Sequence, residues 1–329
     1  MESVVSDNHI LELDSNEVET FINMSNIIDI SPSENPELFC KQSKSLAKCL
    51  PSRIIRKLKH FARYGSETGF FLIKNIPIRE SSLQNTPPGN NCKIGEQTAM
   101  ARIQSIIMHV FSEIIAYEAE CYGRIFQDVV PTQSMAMNQT SLGSNTELEI
   151  HTEQAFSKLR PDIISLACLR GDKNALTHIL PVKRIISNIT TEELEMLRKP
   201  LWNTGIDLSF KLNGHDFIEG NIRGPMSIIN GEDEDPLLIF DQDLMKGTTV
   251  ESEQMIQKVV DIYYKQRLSH NLKPGEIILI DNLRAVHGRS PFFPKFDGYD
   301  RFLIRCFSTF DYSKSDYARS GRVVSAIYS

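Results

Sequence analysis

A chain of 329 residues, 41% hydrophobic and 24% charged, can bury a sizeable core and lacks the low hydrophobicity of a disordered protein. Its formal net charge of -6 argues against a nucleic-acid partner, which needs clustered Lys and Arg to meet phosphates. Cys40, Cys49, Cys92, Cys121, Cys168 and Cys306 show no CxxC spacing and read as reduced thiols. The acidic start, MESVVSDNHILELDSNEVETF, is unlike a signal peptide, and no apolar stretch reaches membrane-spanning length. The expected location is the cytoplasm, with no membrane partner.

In chain order, the apolar run GFFLIKNIPI (69–78) predicts a buried strand, and the loop SSLQNTPPGNNCKIGEQ follows it. Residues 97–118 place Ile103, Ile106, Ile107, Val110, Ile114 and Ile115 at three-four spacing and predict one amphipathic helix; His109 on it receives no role. From residue 124 the pattern changes to short strands: RIFQDVVP, TELEIHTE, DIISLACLR, LTHILPV, DLSFKL, MSIIN, PLLIF, GEIILID and RFLIRCFSTF. Turn dipeptides, including Asn213-Gly214 and Pro274-Gly275, separate them. Two helices interrupt the series: TTEELEMLRK, opened by a Thr190/Glu193 capping box, and VESEQMIQKVVDIYYKQRLSH from about 250 to 270. The expected fold is mainly β with flanking helices around a double-stranded β-helix, a cupin-like jelly roll. One domain over 1–329 is expected, with N-terminal support to about residue 120, the core from about 121, and a lid insert at about 213–250.

The stretch ELEIHTEQAF carries the first candidate chemistry. On a strand, side chains alternate, so His151 and Glu153 point the same way with Thr152 opposite. Alone, this pair is as compatible with an ordinary polar rim as with a metal. A third ligand could come from LIDNLRAVHGRSPF, where a strand is expected to run into an exposed turn that presents His287. Two histidines and a carboxylate make the facial set that holds Fe(II) and leaves coordination positions open. Arg301 and Arg305, four apart at the ends of RFLIR, share one face of a strand. An interior arginine needs an anion, and its planar fork suits a carboxylate. An anionic ligand near the metal is implied.

With these residues in place, the chain resembles the Fe(II)/2-oxoglutarate dioxygenases, in particular the clavaminate-synthase-like branch that contains hydroxylases of free lysine, arginine or asparagine. The resemblance runs from GFFLIKNIP to RFLIRCF and rests on LEIHTEQAF, ISLACLRGD, LTHI, PGEIILIDNLRAVHGRSPF and RFLIR. The broader superfamily usually has HxD where this branch commonly has HxE. The resemblance implies His151, Glu153 and His287 as iron ligands, Arg301 and Thr177 as contacts of 2-oxoglutarate, and Arg305 as the partner of the substrate's α-carboxylate. It further implies Asp241 and Asp243, in PLLIFDQDLM, as readers of a distal cation, both facing one side if the segment is extended. Gln127, Gln139 and Ser141 would contact the substrate's α-amino group or backbone. Arg223 has no assigned role.

The implied reaction uses 2-oxoglutarate and O₂ as co-substrates, yields succinate and CO₂, and hydroxylates Cβ or Cγ of a small amino-acid substrate, lysine first and arginine or asparagine as alternatives. A zinc hydrolase using the same three ligands and a non-catalytic jelly-roll binding protein are the competing classes; the helical H-E-x-x-H of zinc proteases is absent. A homo-oligomer is compatible with the sequence.

Overall fold

The computed structural model describes residues 9–207 and 222–325. All but the first residue of the strand expected at DLSFKL, and the Asn213-Gly214 turn in the first part of the expected lid, lie outside the described residues. The chain opens with strand β1 (Ile10–Glu12) and helices α1 (Ser15–Ile27), α2 (Pro36–Ala47) and α3 (Ser52–Tyr64). Their starts are capped locally. Asp14 accepts from the Glu17 N–H while Glu17 reaches back to the Asp14 N–H, and Asn35 accepts from Leu38 with Pro36 at the first helical position. Strand β2 (Phe70–Lys74) follows as expected.

The single helix expected over 97–118 is instead helix α4 (Ala99–Met108), a turn, and strand β3 (Glu113–Tyr117). Ile114 and Ile115 are both buried, but they join different core clusters on opposite faces of the sheet. A helix with one apolar face cannot bury adjacent residues in that way, whereas a strand must. The elements that follow are β4 (Gln127–Val129), β5 (Leu148–His151), β6 (Ile163–Arg170), β7 (Leu176–Pro181), α5 (Val182–Ile186) and α6 (Thr191–Leu197), the last with the expected Thr190/Glu193 capping box. Next come β8 (Trp202–Gly205), β9 (Ile222–Met226), β10 (Ile229–Gly231), β11 (Pro236–Leu238), β12 (Met245–Gly247) and α7 (Val250–Gln266). Helix α7 stops short of residue 270 because Leu268–Asn271 forms β13, paired with β7. The chain continues through β14 (Ile277–Asp281), β15 (Ala285–Arg289), β16 (Phe302–Thr309), β17 (Arg319–Ser320) and β18 (Val323–Val324). The Pro274-Gly275 turn leads into β14; Gly275 has φ +86°, and a Cβ there would collide with the Ile76 carbonyl.

Two sheets form the jelly roll. A nine-stranded sheet runs β1-β2-β14-β6-β16-β3-β18-β17, with β4 also paired to β16, and a four-stranded sheet runs β13-β7-β15-β5. Alternation sorts their residues into layers. Ile277, Leu279, Phe302, Ile304 and Cys306 pack with α1 to α4, whereas Ile278, Ile280, Leu303 and Phe307 pack with Ile179 and Ala285 of the smaller sheet. The outer face of that smaller sheet, through Ile150, Leu180 and Val286, packs against Val259 and Tyr263 of α7. Strands buried on both faces explain the near-continuous apolar runs of GEIILID and RFLIRCF. Arg305, in the middle of β16, is therefore a charge placed between two sheets.

Leu279 is fully buried in the centre of this layering. Leu279→Ala should lower the unfolding free energy by about 2–5 kcal/mol, measured by denaturant titration.

Candidate active site

The site begins with a cross-strand pair. In the antiparallel register of β5 and β15, His287 lies opposite His151, with ring centroids 4.5 Å apart. His287 is buried inside β15, not displayed at an exposed turn as expected, because β15 continues to Arg289 between β5 and β7. Strand β5 ends at His151, so Glu153 stands in the turn just beyond it. The Thr152 N–H still donates to the Phe240 carbonyl at 2.7 Å, which keeps the backbone extended and turns Glu153 to the same side as His151.

One ligand atom from each of His151, Glu153 and His287 lies within 4.8 Å of the others. His287 Nε2 is 3.9 Å from Glu153 Oε2. His151 Nδ1 lies 2.8 Å from the Glu149 carbonyl, a contact that requires its N–H and leaves Nε2 as the lone pair. Burial, then the nearby His151 and Arg305, holds the pKa of His287 well below its ordinary value, so the imidazole is neutral. Two imidazoles and one carboxylate are the donor set for a divalent cation, and these residues fit an iron ion. Asn282, fully buried, fixes the carboxylate's backbone: its Oδ1 accepts from the Glu153 N–H at 2.7 Å, and its Nδ2 donates to the Glu153 carbonyl at 3.1 Å and to Pro161 at 2.8 Å.

The triad opens into a cavity of about 730 Å³ whose wall also carries Thr177, Arg289, Arg301, Arg305, Glu120, Gln139, Ser141, Glu149, Asp207, Asp241 and Asp243. Arg301 is buried, sits over the Phe292 ring at 5.6 Å, and forms no hydrogen bond or ion pair with the protein among the described residues. Burial pushes its pKa down to about 10. A buried guanidinium without an anion is costly, so this end of the cavity calls for one. Arg289 donates to the carbonyls of Gly143 at 2.7 Å and Thr146 at 3.1 Å; burial, then Arg301, pushes its pKa to about 9. Thr177 is its register partner on β7.

Arg305 ion-pairs with buried Glu120, donates to Gln127 Oε1 from Nε at 2.9 Å and Nη2 at 2.6 Å, and places Nη1 3.4 Å from both Glu153 oxygens. Burial raises the Glu120 pKa to about 7, with Arg305 opposing. Gln127 stands behind Arg305 and does not itself line the cavity. Gln139 donates to the Glu147 carbonyl at 2.9 Å and accepts from the Glu149 N–H at 3.0 Å. The expected extended stretch at Asp241 and Asp243 is a bridge from Asp241 to His151 followed by a turn, in which Asp241 Oδ1 accepts from the Leu244 N–H at 2.8 Å. Both carboxylates nevertheless reach the cavity wall. Burial raises the Asp241 pKa to about 7, opposed by His151; burial, then Asp243, raises that of Glu149. Arg223, on β9, does not line the cavity.

Residues 219–307 match the family described as Taurine catabolism dioxygenase TauD, TfdA family. The chain is 47% identical to the L-lysine 3-hydroxylase of Catenulispora acidiphila, over 97% of this chain and 90% of the relative. The chain belongs to this dioxygenase family. The dioxygenase is also 25% identical to the L-ornithine/L-arginine 3-hydroxylase of the same organism, over 83% of this chain and 85% of that one. Its fold superposes, with a TM-score of 0.90 and 26% identity, on asparagine oxygenase in complex with Fe(II), 2S,3S-3-hydroxyasparagine and succinate, covering 96% of this chain and 99% of that one. The protein is thus an Fe(II)/2-oxoglutarate-dependent amino-acid hydroxylase, and the zinc-hydrolase and binding-protein readings are set aside. No helix among the described residues is long and apolar enough to cross a membrane.

Because Asn282 orients the carboxylate ligand, Asn282→Ala should weaken Co(II) or Fe(II) binding by about 10- to 100-fold, measured by anaerobic titration. An unchanged affinity would mean that Glu153 is positioned without it.

Proposed function

We propose that the dioxygenase hydroxylates Cβ of free L-lysine. The observation that carries this reading is the sorting of charge on one cavity wall: the Arg305–Glu120 pair beside Glu153, and the acids Glu149, Asp241 and Asp243 beside His151. An amino acid with an α-carboxylate, an α-ammonium and a distal ammonium finds an opposite charge for each. The relative named L-lysine 3-hydroxylase, matched along nearly the whole chain, supports lysine over arginine or asparagine and Cβ over Cγ.

In this reading His151, Glu153 and His287 hold Fe(II). The cavity-facing Arg301 fork pairs with the distal carboxylate of 2-oxoglutarate, and the Thr177 hydroxyl hydrogen-bonds the same molecule. Arg305, braced from behind by Gln127, takes the substrate's α-carboxylate, which frees Glu120 for the α-ammonium. Gln139 and Ser141 offer polar contacts along the same wall, and Asp241 and Asp243 take the distal ammonium. Two charged anchors hold the chain stretched, so that one carbon faces the metal. When bound, the iron supplies the redox chemistry that couples O₂ and 2-oxoglutarate to cleavage of a C–H bond. One oxygen atom enters the amino acid as hydroxyl, the other enters succinate, and C1 of 2-oxoglutarate leaves as CO₂. The apolar side chains Val129, Ile164, Leu166 and Leu303 keep the wall between these polar groups dry.

The chain is read as one catalytic domain, since helices α1 to α4 and the four-stranded sheet cover opposite faces of the same nine-stranded sheet. Its six free cysteines suit the reducing cytoplasm.

The test is incubation with Fe(II), 2-oxoglutarate and each free amino acid under air, scored by succinate and by the mass gain of one oxygen atom. L-lysine should react best and carry the hydroxyl at C3; no oxygen gain on lysine would sink the reading. Asp241→Asn keeps an acceptor for the Leu244 N–H but removes the charge. It should raise KM for lysine by about 10- to 100-fold, the scale of a lost charge-assisted hydrogen bond. A wild-type KM would separate this acid from the substrate's cation.

A further inference from the structure

The segment that carries Asp241 and Asp243 is bound directly to the segment that carries the metal ligands. His151 and Asp241 form an antiparallel bridge, so Thr152 faces Phe240 and Ile150 faces Gln242. Two backbone bonds close this short ladder: Thr152 N–H to the Phe240 carbonyl at 2.7 Å, and Gln242 N–H to the Ile150 carbonyl at 3.0 Å. The Thr152 hydroxyl supplies the rest. It accepts from the Phe240 N–H at 3.2 Å and lies 3.3 Å from the Phe240 carbonyl, to which it can donate. Thr152 and Phe240 are both fully buried, so no water replaces these contacts.

This placement has a geometric consequence. Paired strands lie about 4.8 Å apart, so the acids are held one ladder spacing from the metal ligands. A slip of the 240–242 segment by one residue would turn Asp241 out of the cavity, because facing alternates along the chain. Thr152 is the residue between the two ligands, and its side chain points away from the metal. Its hydroxyl makes its hydrogen-bond contacts with Phe240, and the side chain acts on the reaction through that segment.

We propose that the Thr152 hydroxyl is a latch that fixes the offset between the cation-reading carboxylates and the metal, and so selects which carbon of the substrate is hydroxylated. The proposal rests on the lysine reading above, since it takes the distal ammonium as the far anchor. Thr152 is a positioning residue in this scheme. Without the hydroxyl, the buried Phe240 N–H loses its acceptor, the segment loosens, and the ammonium site moves relative to the iron.

The experiment compares wild type, Thr152→Val and Thr152→Ser. Four quantities are measured: KM and kcat for lysine, the ratio of 3- to 4-hydroxylysine by NMR, anaerobic Co(II) affinity, and hydrogen exchange of the Phe240 amide. Val is nearly isosteric and puts a methyl group in place of the hydroxyl; Ser keeps the hydroxyl and lacks the methyl. Thr152→Val should raise KM about tenfold or more, spread the product over two carbons and speed Phe240 exchange, while Co(II) affinity holds. Thr152→Ser should return all of these toward wild type. If Thr152→Val proves unstable, Thr152→Ala gives the same comparison without a misplaced methyl group. A Thr152→Val enzyme with wild-type KM and one product overturns the latch, as does one whose Co(II) affinity falls together with kcat while KM holds. Wild type that leaves lysine untouched sinks the lysine reading instead, and the latch is then scored on the amino acid that does gain oxygen.

Discussion

The register of β5 against β15, with His287 opposite His151, is the constraint from which the site is built. Once that pair is set, alternation places Arg289 on the same face as His287, two residues further along. The same register brings Thr177 of β7 beside Arg289. On the other side of β5, the bridge from His151 to Asp241 brings the acidic segment to the cavity. Metal ligands, guanidinium groups and carboxylates are thus held on rigid ladders, where a small shift of one strand would disturb all three.

Burial gives these groups their chemical character. Arg301 and Arg305 both face a space between two sheets, yet their situations differ. Arg305 is already neutralised by Glu120 and sits against Glu153, whereas Arg301 lies over the Phe292 ring and has no hydrogen bond or ion pair among the described residues. Arg305 must exchange one partner for another when it meets a carboxylate, while Arg301 gains its first. An anion at Arg301 would therefore meet an existing need, and under the proposed function binding at Arg305 would select a molecule that also satisfies the acid left behind.

Much of this arrangement was legible in the chain. His151 and Glu153 could be paired from strand alternation, His287 joined them through the two following arginines that needed anions, and the layered jelly roll came from many short strands with buried faces. Asn282, Glu120, Arg289 and Glu149 were not singled out; for Asn282 and Glu120 the reason is physical, since each matters through a neighbour distant in sequence. Asn282 holds Glu153 across 129 residues, and Glu120 meets Arg305 across 185. Arg289 lies two residues after His287, and had that stretch been read as a strand, alternation would have placed both on one face. The helix expected through Ile114 and Ile115 failed because three-four spacing persisted by coincidence across a turn that has neither proline nor glycine. The same residues alternate correctly for β3, and pairing with β16 decided between the two patterns.

The short Phe240–Gln242 segment has a second effect, on the molecule as a solute. Strand β5 pairs with β15 on one side only, so its other side would present unpaired backbone groups next to an apolar interior. That rim is occupied by residues 240–242 through backbone bonds to Ile150 and Thr152. An open strand rim is a template for pairing with another chain, so the element that brings acids to the cavity also closes this one rim of the molecule to such pairing.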